Sequence, residues 1–259
     1  QLHTEVGREG GIVQQIGFAG RVAKGRLTEE QARQAQKRLN FTTDLPQAAH
    51  EADLVIEAVP DVAKIKRAVL SQVDQYVPER AIYGSNSSYL VSSVFADAVR
   101  HPEHVANFHF FNPALVMELV EVVQGPHTAP ETVDILMDFA RSIRKSPVLV
   151  KKEIYGFVVN RIFSGITKEA CYLYDQGVAS LEDIDTAVKK GLGHPMGPFE
   201  LLDMTGIDLE YNVLMERFRN TQNPADRPAA VLVEHYARGE YGHKTNKGFY
   251  EYDEGGKRK

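Results

Sequence analysis

The sequence predicts an α/β domain built on a doubly wound, mostly parallel sheet, followed by an all-helical domain. Up to about residue 150, short apolar runs alternate with helical stretches, as they do where helices join parallel strands. Beyond residue 152 the strand signals cease, and only helical patterns remain. We therefore expect two domains, residues 1–152 and residues 153–259.

Strands are predicted where a short apolar or β-branched run stands between turn residues. The predicted strands are residues 41–43, 53–59, 81–84, 105–110, 119–123 and 147–150. Pro60 ends the second of these runs and suits the first turn of a helix, because proline lacks the N–H that such a turn leaves free.

Helices are predicted from apolar spacing and from capping residues. The first 40 residues have a helical pattern that includes Ile12 and Ile16, and Thr28 with Gln31 forms a capping-box pattern for a helix to about residue 39. Ser180 is the expected cap of a helix that runs to residue 190. The other predicted helices are residues 61–75, 89–99, 130–144, 157–175 and 229–237, and one that starts at residue 198.

Composition excludes several classes of protein. The 259 residues are 43% hydrophobic and 25% charged, which is typical of globular domains rather than disordered chains. The net charge of −5 disfavours nucleic acid and anionic membranes as partners, and no apolar run is long enough to span a bilayer. The single cysteine, Cys171, forbids an internal disulfide, and the polar start at Gln1 has no signal-peptide pattern. We expect a soluble protein of the cytoplasm.

Polar residues follow three successive predicted strands. Glu57 and Asp61 lie at the end of the predicted strand 53–59, and Asn86 to Ser88 follow the predicted strand 81–84. His109 and Asn112 lie at the end of the predicted strand 105–110. In open α/β sheets, ligands bind outside the carboxyl ends of the strands, so these residues predict a small-molecule site. Turn and helix-cap chemistry is the alternative, since Asn and Ser serve both routinely.

His109 is the strongest catalytic candidate among the nine histidines. It stands among aromatic residues, and the next strand carries Glu121 inside an otherwise apolar run. A carboxylate in such a run needs a partner, and an imidazole satisfies both groups. A histidine oriented by a carboxylate is a common general acid–base pair, so we expect His109 and Glu121 to form one. No metal site is expected.

Seven motifs together resemble the L-3-hydroxyacyl-CoA dehydrogenases, especially the short-chain 3-hydroxybutyryl-CoA type. The resemblance extends from about residue 24 to residue 252. Its motifs are DLVIEAVP (53–60), SNSS (85–88), HFFNP (109–113), LVEV (119–122), GFVVNR (156–161), PMGPF (195–199) and KTNKGFY (244–250). The resemblance implies a Rossmann-like first domain, a helical second domain that forms a homodimer, and NAD-dependent interconversion of (S)-3-hydroxyacyl-CoA and 3-oxoacyl-CoA.

The same resemblance implies roles for individual residues. His109 would be the general base for the substrate 3-hydroxyl, and Glu121 would hold and polarise its imidazole. Ser88 and Asn160 would bind the substrate and position its hydroxyl and thioester carbonyl. The positions that match cofactor contacts in relatives are Ala58, Asp61, Lys66, Asn86, Asn112 and Lys244. The preference for NAD over NADP is likewise inherited from the family.

Several positions depart from the family pattern. Ser87 replaces a usual Thr, Tyr89 a common Ser, Tyr155 a usual Pro, and Asp61 a usual Glu. Relatives also begin with a strand, a GxGxxG turn, a helix and a second strand, and nothing before Phe41 supplies that first βαβ unit. We expect that the sequence is a fragment of a longer product; the other explanation is a chain that has lost half of its cofactor site. In either case, the chain by itself is expected to bind NAD poorly.

Two other functions remain open at this point. A related NAD-dependent enzyme that acts on a free hydroxy acid or sugar acid would be indifferent to CoA. A crystallin-like, non-catalytic homologue would keep the scaffold and bind no NAD. The predicted His109–Glu121 pair and Asn160 argue against the structural role, because a purely structural protein has no need of a buried charged pair.

Overall fold

The computed structural model describes residues 17–259, except for the side chain of Asn220. The chain divides into two compact units: the first ends at Phe157, and the second is Val158–Lys259. The division predicted after residue 152 lies in the same connection. Residues 17–23 are helical, whereas Ile12 and Ile16 of the predicted first helix lie outside the described residues.

A five-stranded sheet forms the centre of the first unit. The strands lie in the order β1-β2-β3-β4-β5. Pairs β1·β2, β2·β3 and β4·β5 are parallel, and β3·β4 is antiparallel, so the sheet is mostly parallel as predicted. Within residues 17–259, β1 is an edge strand. The strands are β1 Leu54–Glu57, β2 Ile82–Ser85, β3 Val105–Phe110, β4 Leu119–Val123 and β5 Ser146–Val150.

Apolar side chains cover both faces of this sheet. On one face the helix after β1 packs Leu70 and Val73 against Tyr83 and Phe95. On the other face Phe108 belongs to a cluster with side chains of β4 and of the helix between β4 and β5. The helices of this unit are α1 Glu29–Gln36, α2 Leu45–Ala49, α3 Ala63–Val73 and α4 Pro130–Ser142. This two-sided core is that of a doubly wound α/β domain, which confirms the predicted fold class.

The strand predicted at residues 41–43 is wrong. Thr42 donates its hydroxyl to Oε1 of Gln47 (2.8 Å) and accepts from the N–H of Asp44 (3.0 Å). Asp44 in turn caps α2 by accepting from the N–H of Gln47 (3.1 Å). These local side-chain bonds favour a turn, and they override the β-propensity of threonine.

The helix predicted at residues 89–99 is wrong as well. Two short 3₁₀ turns, Ser92–Val94 and Ala96–Ala98, replace it. The N–H of Ser92 donates to Oδ1 of Asn107 on β3 (2.9 Å), and the N–H of Ser93 donates to Glu153 (2.9 Å). Because these donors are held by side chains of other segments, the backbone does not continue as an α-helix.

The helix predicted from residue 61 begins later, at Ala63, after a Val62 N-cap. Pro60 therefore belongs to the turn before α3 rather than to its first turn. The capping box of α1 is confirmed: Thr28 Oγ1 accepts from the N–H of Gln31 (3.1 Å), and Gln31 Oε1 accepts from the N–H of Thr28 (2.9 Å).

The second unit is helical, as predicted. Ser180 caps α6 by accepting from the N–H of Asp183 (3.1 Å). Gly206, at φ 109°, separates α7 from α8, a helix that the sequence did not predict. The helices are α5 Val159–Asp175, α6 Leu181–Gly191, α7 Pro198–Thr205, α8 Ile207–Thr221 and α9 Ala230–Arg238. Among the described residues, no helix is long and apolar enough to cross a membrane.

A buried carboxylate attaches the carboxyl-terminal segment to this helical unit. Asp203 is fully buried on α7 and accepts from the N–H groups of Phe249 and Tyr250 (both 2.9 Å) and from the hydroxyl of Tyr252 (2.8 Å). Burial raises the pKa of Asp203 in spite of these bonds. A Cβ on Gly248 would overlap the Asp203 carboxylate, so this close approach requires glycine.

Candidate active site

A buried imidazole–carboxylate pair joins β3 and β4. His109 and Glu121 stand directly opposite each other in the antiparallel register of these strands. Nδ1 of His109 lies 2.9 Å from Oε2 of Glu121, and only 3% and 1% of the two residues is exposed. The alternation of the strands places both side chains on the same face of the sheet, so the predicted pair is present in the structure.

Two aromatic rings enclose the imidazole of His109. The Phe111 ring centre lies 4.5 Å from the His109 ring centre, and the Phe157 ring centre lies 5.5 Å from it. Phe157 is buried and has a φ of 48°, which is unusual for a residue with a side chain. The preceding Gly156 is also left-handed, at φ 76°. The backbone of this turn thus fixes where the Phe157 ring meets the imidazole.

A second buried charged cluster lies at the carboxyl end of β1. Nζ of Lys66 donates to both carboxylate oxygens of Glu57 (3.0 Å each) and to the carbonyl of Val59 (3.3 Å). Ser85 Oγ on β2 donates to Oε2 of Glu57 (2.6 Å). Lys66 is 1% exposed and also lies 3.4 Å from Asp61. The cluster fixes the backbone of the loop that follows β1.

A cavity of about 150 Å³ opens beside this loop. Asp61 accepts from the hydroxyl of Ser87 and from the N–H of Tyr89 (3.3 Å), which joins the loops after β1 and β2. Oδ1 of Asn86 accepts from the N–H of Phe110, the residue after His109 (2.9 Å). The cavity is lined by Ala58, Val59, Asp61, Lys66, Asn86, Ser87 and Ser88. Five of the residues predicted for the site therefore lie together at the carboxyl ends of parallel strands.

The remaining predicted site residues lie elsewhere. Asn112 is exposed, just beyond β3, and is not among the residues that line this cavity. Asn160 lies half-buried in the first turn of α5, in the second unit. Lys244, also in the second unit, is ion-paired through Nζ to both carboxylate oxygens of Asp208 (2.8 and 2.9 Å). Their roles in binding stay predictions.

The sequence interpretation missed two features of this region. It did not identify Phe157 as a neighbour of the imidazole, and no local signal reports a phenylalanine at positive φ. It also did not predict that Lys66 is buried. A signal for that was present, because Lys66, Leu70 and Val73 have the i, i+4, i+7 spacing of one helix face, and all three are buried.

Two family models match nearly the whole chain. Residues 9–154 match the NAD binding domain of 3-hydroxyacyl-CoA dehydrogenase, and residues 156–252 match the carboxyl-terminal domain of the same family. The chain belongs to the 3-hydroxyacyl-CoA dehydrogenase family. The dehydrogenase therefore carries an NAD-binding domain, as the resemblance of its motifs implied.

Individual relatives support this assignment. The human mitochondrial hydroxyacyl-coenzyme A dehydrogenase is 41% identical over 212 residues, which cover 82% of this chain and 67% of the relative. The solved structure of (S)-3-hydroxybutyryl-CoA dehydrogenase from Ralstonia eutropha has a TM-score of 0.88 at 33% identity and covers 95% of this chain and 86% of that one. A 5-formyl-3-hydroxy-2-methylpyridine 4-carboxylate 5-dehydrogenase of Mesorhizobium japonicum is 35% identical over 83% of this chain and 70% of the relative.

The cavity residues have the chemistry that a dinucleotide requires. The carboxylate of Asp61 accepts hydrogen bonds, the hydroxyls of Ser87 and Ser88 donate and accept them, and the amide of Asn86 does both. Such groups suit ribose hydroxyls and a carboxamide. Nζ of Lys66 is held by Glu57 and Val59, and these bonds fix the loop that carries Asp61. A contact of Lys66 with the cofactor stays a prediction. The residues present thus fit part of an NAD site.

Proposed function

We propose that this protein interconverts an (S)-3-hydroxyacyl-CoA and the corresponding 3-oxoacyl-CoA, with NAD as the redox cofactor and His109 as the general base. The family supports the reaction class, and the names of relatives support the acyl-CoA substrate. The single observation that carries the assignment of the base is the 2.9 Å contact between His109 and Glu121, both of which are buried.

The pair dictates which nitrogen of His109 acts. Glu121 is an acceptor when ionised, so Nδ1 of His109 carries the hydrogen and donates it, and Nε2 keeps a free lone pair. In the oxidation direction, Nε2 takes the proton of the substrate 3-hydroxyl. The imidazolium that forms is stabilised by the adjacent carboxylate, as in other histidine–acid pairs. In the reduction direction, the same nitrogen returns the proton to the carbonyl oxygen.

Bound NAD supplies the acceptor for the hydride that leaves the substrate carbon. Ala58, Asp61 and Asn86 are proposed to contact the dinucleotide, and the loop fixed by Lys66 presents Asp61 to it. Asn112 and Lys244 are assigned to the cofactor through their motifs. Ser88 and Asn160 are proposed to position the substrate hydroxyl and the thioester carbonyl, so that the hydroxyl proton faces Nε2 of His109.

The test of this proposal is turnover of acetoacetyl-CoA by the purified chain, followed as loss of NADH absorbance. We expect consumption of NADH with formation of the (S)-3-hydroxybutyryl thioester, and much slower consumption of NADPH. The assay is run at saturating NADH, so that weak cofactor binding does not mask turnover. Binding of NADH without reduction of the thioester would contradict the proposal.

A second candidate is favoured by the Mesorhizobium relative, whose named substrate is a pyridine carboxylate rather than a thioester. An enzyme of that kind would reduce a free oxo acid and would be indifferent to CoA. Comparison of kcat/KM for acetoacetyl-CoA and for free acetoacetate separates the two. We expect the thioester to be strongly preferred, and equal values would favour the second candidate.

We further propose that the protein is a homodimer through its second unit and that it acts in the cytoplasm. Apolar side chains on α5 are exposed, with Ile162 at 60% and Tyr172 at 55%. Burial of such side chains against a second copy removes apolar area from water. A dimer mass by light scattering is expected, and Ile162→Glu should yield a monomer. A monomeric wild-type protein would contradict the proposal.

A further inference from the structure

Two tyrosines from separate segments contact each other beside the imidazole pocket. The ring centres of Tyr89 and Tyr155 are 5.2 Å apart, with the planes tilted by 39°. Tyr89 directly follows Ser88, which lines the cavity, and Tyr155 lies two residues before Phe157, whose ring contacts His109. The contact therefore links a loop of the cofactor cavity to one wall of the imidazole pocket.

The same two segments also contact each other at further points. Ser92 Oγ and the N–H of Ser93 both donate to Oε1 of Glu153 (2.8 and 2.9 Å). Val91 packs against the buried cluster of Val123, Val150 and Phe157. Residues 89–93 thus run along residues 153–157, with the tyrosine pair at one end and the Glu153 carboxylate at the other. We call this set of contacts between residues 89–93 and residues 153–157 the brace.

The segment that the brace holds is a tight turn. The N–H of Phe157 donates to the carbonyl of Ile154 (3.0 Å), and Gly156 at the third position has φ 76°. This is the arrangement of a type II turn, in which proline is common at the second position because its φ is already fixed. Tyr155 occupies that second position here. It lacks the ring constraint of proline, but its side chain supplies a contact that proline lacks.

We propose that Tyr89 and Tyr155 are positioning residues whose ring contact constrains this turn, as a proline at its second position would, and holds Phe157 against His109. The inference rests on the proposed function, because it concerns the same imidazole. The pair acts by fixing a turn whose last residue, at φ 48°, presents its ring to the general base. Loss of either ring frees the turn, and the imidazole loses a fixed neighbour.

The test is a double-mutant cycle with Tyr89→Leu and Tyr155→Leu in the full-length enzyme, measured with acetoacetyl-CoA and NADH. Each single variant should lower kcat about tenfold with little change in the KM for NADH, since misplacement near a reacting group costs rate. The double variant should also lose about tenfold, because the two side chains act as one unit. A loss of about a hundredfold in the double variant would mean independent roles and would overturn the proposal.

Conservative variants separate positioning from folding. Tyr89→Phe and Tyr155→Phe keep both rings and should retain the wild-type kcat. Tyr155→Pro fixes φ at the second position of the turn, and in that background Tyr89→Leu should cost little further rate. The pair Tyr211–Tyr236 in the second unit is a matched control, with ring centres 3.8 Å apart. Tyr236→Leu should lower the melting temperature without lowering kcat.

The outcomes also distinguish this inference from the proposed function. If the wild-type enzyme does not reduce acetoacetyl-CoA, the proposed function fails before the variants are measured. If the wild-type enzyme is active but Tyr155→Leu keeps the full kcat, the proposed function stands and the brace has no positioning role. If the leucine variants raise the KM for NADH and leave kcat unchanged, the pair supports cofactor binding instead, and the inference is overturned.

Discussion

The carboxylate of Glu121 lies 2.9 Å from Nδ1 of His109, across the only antiparallel pair among the five described strands. This register is what brings the acid and the imidazole face to face, because a shift of one residue would turn Glu121 to the opposite side of the sheet. Both side chains are buried, so each compensates the other for the loss of water.

Glu121→Gln should lower kcat about a hundredfold, because a neutral amide stabilises the imidazolium less and leaves the tautomer of His109 less defined. Steady-state kinetics with acetoacetyl-CoA and NADH check the change. Glu118→Gln is the matched control, since Glu118 is exposed on the same segment. We expect no loss of kcat in the control. A Glu121→Gln enzyme with the kcat of wild type would show that the carboxylate has no part in proton transfer.

Lys66→Met should destabilise the first unit by about 3–5 kcal/mol, because it leaves the buried carboxylate of Glu57 without its cation. Thermal or urea unfolding measures the loss. Lys64→Met, at an exposed position on the same helix, should have a far smaller effect. A second substitution, Glu57→Gln, should recover part of the loss. Equal stability of Lys66→Met and wild type would show that the cluster does not hold the loop after β1.

Asp203→Asn should destabilise the second unit by about 2 kcal/mol. The carboxylate accepts hydrogen bonds from two backbone N–H groups, and the amide NH₂ of asparagine, which is a donor, would have to face one of them. The effect should depend on pH. Burial raises the pKa of Asp203 in the folded protein above its ordinary value of 3.8. The stabilising contribution of the Asp203 side chain is therefore complete when the pH is below 3.8, and it decreases as the pH rises through the folded-state pKa.

The stability advantage of wild type over Asp203→Asn should therefore be largest in acid and smaller at neutral pH. Unfolding of both proteins over a pH series measures it, and the variant serves as the reference because its amide side chain does not titrate. An advantage that grows from acid to neutral pH would mean that the carboxylate is stabilised in its ionised form, contrary to the burial argument.

The sequence predicted the strands best where local pattern and burial agree. The bounds of β3 and β4 match the prediction because both are mostly apolar runs that are buried along most of their length. The prediction failed at residues 41–43 and 89–99, where side-chain acceptors such as Oδ1 of Asn107 and the Glu153 carboxylate hold backbone donors. Asn107 and Glu153 are distant in sequence from residues 89–99, so local secondary-structure propensity cannot reveal these bonds.

Part of the candidate site could also be predicted from the sequence, because it lies at the ends of predicted strands. The strand-end rule selects Asp61, Asn86 and Ser88, which line one cavity in the structure. The contact of Phe157 with His109 depends on a turn with two consecutive residues at positive φ, and no sequence pattern reports that turn for a phenylalanine. The burial of Lys66 could be predicted from helical spacing, because Lys66 lies on the same helix face as Leu70 and Val73.

If His109 moves the proton of the substrate hydroxyl, replacement of its imidazole by an amide must slow the chemical step, so His109→Gln is the decisive variant. Single-turnover reduction of acetoacetyl-CoA by the full-length variant with bound NADH isolates the chemical step from binding. We predict that the rate falls by about a thousandfold or more while the Kd for NADH stays at the wild-type value. A variant that reduces acetoacetyl-CoA at the wild-type rate would show that His109 does not transfer this proton.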